Sequence, residues 1–136
     1  MPGSSLWLIP PEGSVFTKAI QSLISTKIPS LFPDTKTHDF IPHVTITSNV
    51  DPSLYGSDPQ GWLDSLQIDT QGDIQVDMEA VEPGKPFFKK LTLRCAKDAG
   101  LLKLATVCRA EGVEGGDEEK AKKWADGDYA PHLSLL

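Results

Sequence analysis

The sequence predicts one α+β domain, and three observations support this class. The chain has 136 residues, which suffices for one hydrophobic core and is too short for two full domains. Its contents of 39% hydrophobic and 24% charged residues are typical of a globular protein. Segments with strand periodicity alternate with segments of helical periodicity, and one hairpin joins two of the strands. One fold therefore has to carry the whole function.

The first third of the chain predicts a strand, a helix and a second strand. The apolar run 6–9 precedes a Pro-Pro-Glu-Gly turn and is typical of a short buried strand. Ser14 is the predicted N-cap of a helix that ends at Pro29. Residues 40–48 are rich in β-branched side chains, as in a strand. The helix presents one apolar face, formed by Phe16, Ile20, Leu23, Ile24 and Ile28.

The middle of the chain predicts a short helix followed by a hairpin. A loop begins at Asp51, and the helix runs from Pro59, at its first position, to Leu66. Residues 74–81 alternate between apolar and polar side chains, which indicates a half-buried strand. A turn at 82–86 leads into a returning strand, 87–95. Three residues of that strand share its apolar face: Leu91, Leu93 and Cys95.

The last third predicts a helix, a charged segment and a final strand. Asp98 is the candidate cap of the helix and Gly112 closes it. The glycine-rich segment 112–128 is either a loop or partly helical around 118–124. Residues 129–136 are predicted to form a strand. The apolar stripe of the helix consists of Leu101, Leu104, Ala105 and Cys108.

The charge of the chain argues against bulk nucleic-acid binding. Its net charge is −6, so its surface repels polyanions on average, although a small phosphate ligand remains compatible. Several basic residues fall in one short stretch, which forms either a local positive face or an ordinary solvated strand face. These residues are Lys85, Lys89, Lys90, Arg94, Lys97 and Lys103.

The two cysteines and the N-terminal region indicate a soluble intracellular protein. Cys95 and Cys108 are too few for a secreted disulfide scaffold and lack metal-ligand spacing. We interpret them as small core residues, with a single bridge as the alternative. The N-terminal region has no basic segment, and its longest apolar run, 6–9, is too short for a signal peptide or a membrane span.

One pentapeptide pattern occurs twice and contains two of the three histidines. Residues 42–46 are Pro-His-Val-Thr-Ile, and residues 131–135 are Pro-His-Leu-Ser-Leu. Proline is tolerated at the first residue of a strand and pushes the preceding residue toward an extended conformation. Because strand side chains alternate, the imidazole and the hydroxyl of each copy point to one face. The four candidate site residues are His43, Thr45, His132 and Ser134.

This set of side chains suits phosphoester hydrolysis without a metal or a cofactor. Two imidazoles can supply one base and one acid near neutral pH, and two hydroxyls can donate hydrogen bonds to phosphate oxygens. A serine nucleophile is less consistent, because the chain has no G-x-S-x-G elbow. A zinc site formed by His38, His43 and His132 is also less consistent, because their sequence contexts differ and no cysteine pair is spaced to help. No phosphate-binding glycine loop is present in the sequence.

The repeated motif resembles the two-histidine phosphoesterase superfamily. Three further segments, 6–15, 31–34 and 87–90, resemble the fungal 2',3'-cyclic-nucleotide 3'-phosphodiesterases. The resemblance implies a bilobal fold over residues 1–136, in which antiparallel-rich sheets are flanked by helices and each pseudo-symmetric lobe contributes one motif strand. It also implies that His43 and His132 are the general acid and base, without a metal, and that Thr45 and Ser134 hold the phosphate.

The same resemblance implies the substrates and the cellular setting. Relatives hydrolyse nucleoside 2',3'-cyclic phosphates to 2'-phosphates, and open ADP-ribose 1'',2''-cyclic phosphate, a by-product of tRNA splicing. Fungal relatives are associated with the Golgi apparatus. Relatives continue well past the second motif, whereas this chain ends four residues after His132, so we expect a truncated chain with an incomplete second lobe. The alternatives are a noncatalytic module that binds cyclic-phosphate or 2'-phosphate ends, and RNA-end processing.

Five aromatic residues are candidates for a platform that stacks on a nucleobase. For each of them, packing in the core is the alternative. Tyr129 is the first candidate, because it precedes His132 by three residues. The five are Trp7, Tyr55, Trp62, Trp124 and Tyr129.

Overall fold

The computed structural model describes residues 4–34, 39–68, 74–83 and 91–136. The strands are β1 (Ser4–Leu8), β2 (Val44–Val50), β3 (Met78–Pro83), β4 (Leu91–Cys95) and β5 (His132–Ser134). The helices are α1 (Val15–Ser22), α2 (Ile28–Leu31), α3 (Pro52–Tyr55), α4 (Pro59–Asp64), α5 (Ala99–Gly112) and α6 (Glu118–Gly127). A π-helical turn, Leu23–Lys27, joins α1 to α2. The predicted α+β class is confirmed.

The five strands form one antiparallel sheet in the order β1-β2-β5-β4-β3. The two strands that contain the repeated motif, β2 and β5, are therefore neighbours at the centre of the sheet. Val44 pairs with Leu133, which sets the register between the two copies of the motif. The single-domain organisation with two pseudo-symmetric lobes stays a prediction.

The helices cover one face of this sheet. Val44 and Leu133 pack with the isoleucines of the first helical segment, such as Ile24. Ile46 packs against α5 through Leu101. Because Val44 and Ile46 are two residues apart on β2, they point to the same face, and both helical groups lie on that face. The polar side chains of the motif consequently point to the opposite face.

The first helix begins as predicted and ends later than predicted. The Ser14 hydroxyl accepts a hydrogen bond from the backbone N–H of Thr17, which confirms the N-cap. Pro29, however, lies inside α2, and the helix continues to Leu31. An interior proline normally clashes with the carbonyl four residues earlier. The wider π-helical turn immediately before α2 accommodates this ring within a continuous helical segment.

Several predicted bounds are corrected by local capping and pairing. The loop expected at Asp51 contains α3, because the Asp51 carboxylate accepts a hydrogen bond from the N–H of Ser53. The segment 118–124 is helical, capped by Asp117. The strand expected at 129–136 is limited to β5. Asp98 occupies the N-cap position of α5 but makes no side-chain capping bond.

The hairpin of β3 and β4 is confirmed by antiparallel pairing. β3 starts later than predicted, at Met78, and continues through Pro83. The remainder of the predicted turn and the start of the returning strand, residues 84–90, lie outside the described residues. Leu91, Leu93 and Cys95 share the apolar core, as predicted. Within the described ranges, no helix has the length and apolar character that crossing a bilayer requires.

Candidate active site

The sheet register brings the four candidate residues together. Val44 and Leu133 are paired, so one step in each direction places His43 opposite Ser134 and Thr45 opposite His132. Directly opposed residues have Cβ atoms about 4.5–5.5 Å apart, and diagonal neighbours are about 7–8 Å apart. The two histidines form such a diagonal pair. All four side chains are half-buried, whereas Val44 and Leu133 between them are buried.

Both imidazole rings are held in the same way. The Nδ1 atom of His43 lies 2.6 Å from the carbonyl oxygen of Ile41, and Nδ1 of His132 lies 2.9 Å from that of Ala130. A carbonyl oxygen only accepts, so Nδ1 is the protonated nitrogen in each ring. Each Nε2 is thereby left to accept a proton or, once protonated, to donate one. The proline in each motif separates the histidine from this carbonyl.

Trp7 forms one side of the site. It pairs with Thr45 across β1 and β2, and its indole stacks on His43 with ring centroids 3.8 Å apart and planes at 16°. The side chain is still 48% exposed. Sequence reasoning included Trp7 among five aromatics but ranked Tyr129 first. The available signal was the alternation on β1, where Leu6 and Leu8 face the core and Trp7 does not.

Arg94 lies on the opposite side of the two histidines from Trp7. It pairs directly with His132 across β4 and β5. Its Nε lies 3.0 Å from a carboxylate oxygen of Glu79, and its Nη1 contacts Glu82. The sequence singled out Arg94 only as part of a basic stretch, of which Lys85, Lys89 and Lys90 lie outside the described residues. The site face of β4 therefore carries a cation paired with two carboxylates.

Tyr129 is a core residue on the helix-covered face of the sheet, opposite the face that carries the candidate site. Its side chain is buried among residues of α5 and stacks on Trp124 at a centroid distance of 5.0 Å. Its hydroxyl donates a hydrogen bond of 2.8 Å to the carbonyl of Thr45. Burial raises the pKa of this phenol. The interpretation of Tyr129 as a stacking platform is wrong, and the core interpretation is confirmed.

The two cysteines are free and buried, which confirms their interpretation as core residues and excludes the bridge between them. Burial raises the pKa of each thiol to about 11, with a further contribution at Cys95 from the charge of Glu79. Neither thiol is therefore prepared to act as a nucleophile. In the described part of the chain, no group of three or more His, Cys, Asp or Glu side chains is arranged to hold a metal ion. His38 lies outside that part.

Comparison with known proteins identifies the family. The whole chain, residues 1–136, matches the family model of cyclic phosphodiesterase-like proteins. The chain belongs to this family. It is 48% identical to a 2',3'-cyclic-nucleotide 3'-phosphodiesterase of Phaeosphaeria nodorum, and the match covers 100% of the chain and 69% of the relative. The protein of the same name from Neurospora crassa is 37% identical, over 100% of the chain and 71% of that relative.

A relative from yeast is more distant in sequence. The 2',3'-cyclic-nucleotide 3'-phosphodiesterase of Saccharomyces cerevisiae is 30% identical, over 97% of the chain and 63% of the relative. No solved structure matches the chain significantly. The resemblance noted in the sequence is thus confirmed at the level of the family.

Proposed function

We propose that this cyclic phosphodiesterase-like protein hydrolyses nucleoside 2',3'-cyclic phosphates to nucleoside 2'-phosphates. The observation that carries the proposal is the register of β2 and β5, which groups two imidazoles and two hydroxyls on one face. The names of the relatives support the substrate, since each is a 2',3'-cyclic-nucleotide 3'-phosphodiesterase. Cleavage of the 3' ester bond leaves the phosphate on the 2' oxygen.

The two oriented rings support the following mechanism. Nε2 of His132 takes a proton from water, whose oxygen attacks phosphorus in line with the 3' oxygen. Nε2 of His43 gives its proton to that oxygen as the P–O bond breaks. Proton transfers of this kind typically accelerate a reaction by about 10²- to 10⁴-fold each. Thr45 and Ser134 donate hydrogen bonds to the nonbridging oxygens as negative charge builds on them.

The different surroundings of the histidines support this division of roles. Trp7 covers one face of the His43 ring. The face of an indole attracts a cation, and a general acid enters the reaction as the cationic imidazolium. We therefore assign His43 as the acid and His132 as the base.

We further propose ADP-ribose 1'',2''-cyclic phosphate, a by-product of tRNA splicing, as a second substrate. It presents the same reacting group, a phosphate bridging two adjacent ribose oxygens. The same pair of histidines therefore suffices for both reactions. The family resemblance also supports association with the Golgi apparatus, which subcellular fractionation of the native host would test.

The deciding experiment measures hydrolysis of adenosine 2',3'-cyclic phosphate in EDTA, with the products separated as 2'- and 3'-phosphates. We expect release of the 2'-phosphate, with loss of at least about 10²-fold in kcat in both His43→Ala and His132→Ala. His38→Ala, which removes the histidine outside the motif, is the matched control and should retain activity. A folded chain that binds adenosine 2'-phosphate without turnover would refute the enzyme and favour the noncatalytic binding module.

A further inference from the structure

Arg94 is a candidate substrate contact in addition to the four motif residues. Leu93 and Cys95 face the apolar core, so the alternation of β4 puts Arg94 on the face that carries His132, its direct partner. Its side chain is 52% exposed. A guanidinium is thus located one strand away from the acid–base pair, where neighbouring strands are about 4.7–4.9 Å apart.

Two carboxylates hold this guanidinium in place. Met78 pairs with Cys95 and Ala80 pairs with Arg94, so Glu79 is the extra residue of a β-bulge. Glu79 contacts Nε and Glu82 contacts Nη1, which leaves Nη2 without a hydrogen-bond partner among the described residues. A planar guanidinium group that is already oriented loses less conformational entropy when it binds an anion. The two carboxylates also compete for the positive charge and moderate its affinity.

We propose that Arg94 binds a second phosphate group of the substrate. The protein then prefers 2',3'-cyclic phosphates that carry a further phosphate, such as a 5'-phosphate, over those that do not. This inference rests on the proposed function, which places the cyclic phosphate at His43 and His132. Hydrogen bonds between Arg and phosphate are charge-assisted, and we expect one such contact to favour the doubly phosphorylated substrate roughly 10-fold.

The test compares kcat/KM for adenosine 2',3'-cyclic phosphate and for its 5'-phosphorylated form at low salt. Arg94→Gln should reduce the preference from roughly 10-fold to about one. Glu82→Gln should increase it, because one competing carboxylate is removed. The matched control is Lys97→Gln, which removes a cation whose Nζ donates to the carbonyl of Asp126. This control should leave the preference unchanged.

Calorimetric binding of adenosine 2'-phosphate and adenosine 2',5'-bisphosphate to the same variants separates the two proposals. If the wild type turns over neither substrate, the proposed function fails. The ratio of the affinity for the bisphosphate to the affinity for the monophosphate still tests Arg94. A ratio near one in the wild type overturns the inference, as does a ratio that a folded Arg94→Gln variant leaves unchanged. If that variant does not fold, the ratio in Glu82→Gln decides: an increase supports the inference, and no change overturns it.

Discussion

The hydroxyl of Tyr129 donates a hydrogen bond of 2.8 Å to the backbone carbonyl of Thr45. This bond joins the segment that leads into β5 to the start of β2. Thr45 lies opposite His132 in the register of the two strands, and His132 follows Tyr129 by three residues. The buried phenol therefore couples the positions of a proposed phosphate ligand and the proposed general base.

Replacing Tyr129 by Phe should weaken both the fold and the reaction. The substitution keeps the ring that stacks on Trp124 and leaves the Thr45 carbonyl without its donor. We expect the free energy of unfolding to fall by about 1 kcal/mol. Misplacement of a reacting group by about 1 Å can cost about 10²-fold in rate, so kcat should fall by up to this factor. Urea unfolding and turnover of adenosine 2',3'-cyclic phosphate measure the two effects.

The matched control for that substitution is Tyr55→Phe. The Tyr55 hydroxyl also makes one hydrogen bond, to the Oγ atom of Ser4 at 2.6 Å, but at an exposed position. We expect its stability to change by less than about 0.5 kcal/mol, with kcat unaffected. Equal decreases in kcat in both variants would contradict the coupling of Tyr129 to the site.

The hydroxyls of Thr45 and Ser134 should act mainly on kcat. Donors aimed at developing charge contribute about 10²–10³-fold, so Thr45→Val and Ser134→Ala should each lower kcat by about 10²-fold. Thr106→Val is the matched control, because it makes the same substitution on α5. The Thr106 hydroxyl donates a hydrogen bond to the Leu102 carbonyl at 2.7 Å, and the variant should retain kcat. Steady-state kinetics decides: a rise in KM with kcat unchanged would mean that the hydroxyls bind ground state and transition state equally.

Trp7 should matter through the aromatic face that it presents to His43. Trp7→Phe keeps an aromatic ring at this position, whereas Trp7→Leu removes it and leaves an apolar side chain. We therefore expect the Leu variant to have the lower kcat, because the aromatic face that favours the imidazolium is lost. Steady-state kinetics of both variants on adenosine 2',3'-cyclic phosphate test this. Equal kcat values in the two variants would show that stacking on His43 has no role in the reaction.

The features that the sequence predicted correctly depend on neighbouring residues. Ser14 was recognised as an N-cap because a small hydroxyl residue precedes an apolar helical stripe. The alternation in the β3–β4 hairpin and in both motifs follows from the twofold period of a strand. That period alone places each histidine on the same face as its hydroxyl, so the composition of this candidate site could be predicted without knowledge of the sheet order.

The features that the sequence missed depend on distant residues. The pairing of Val44 with Leu133 joins segments from opposite ends of the chain, and no local pattern encodes it. Tyr129 was preferred over Trp7 because it is close to His132 in sequence, yet β1 is the strand that lies beside β2. The ion pair between Arg94 and Glu79 arises at a bulge, a defect in pairing that composition does not reveal.

The buried thiols predict how stability depends on alkaline pH. An unfolded cysteine loses its proton near the ordinary pKa of 9.0, whereas burial raises the pKa of Cys95 and Cys108 in the folded protein to about 11. Between these values the folded state binds more protons than the unfolded state. The free energy of unfolding should therefore decrease as the pH rises from 9 to 11, because its slope follows the difference in bound protons. Tyr129, whose pKa burial also raises, adds to the decrease above about pH 10.

Cys108→Ala tests the contribution of one thiol to this dependence. The side chain is buried and small, and its replacement removes the ionisable group with little loss of volume. We expect a shallower decrease in the free energy of unfolding between pH 9 and 11 than in the wild type, measured by urea unfolding at fixed ionic strength. The wild-type thiols should also resist alkylation at pH 8 until urea unfolds the chain, because both are buried. An identical pH slope in the two proteins would mean that Cys108 ionises as readily in the folded as in the unfolded chain.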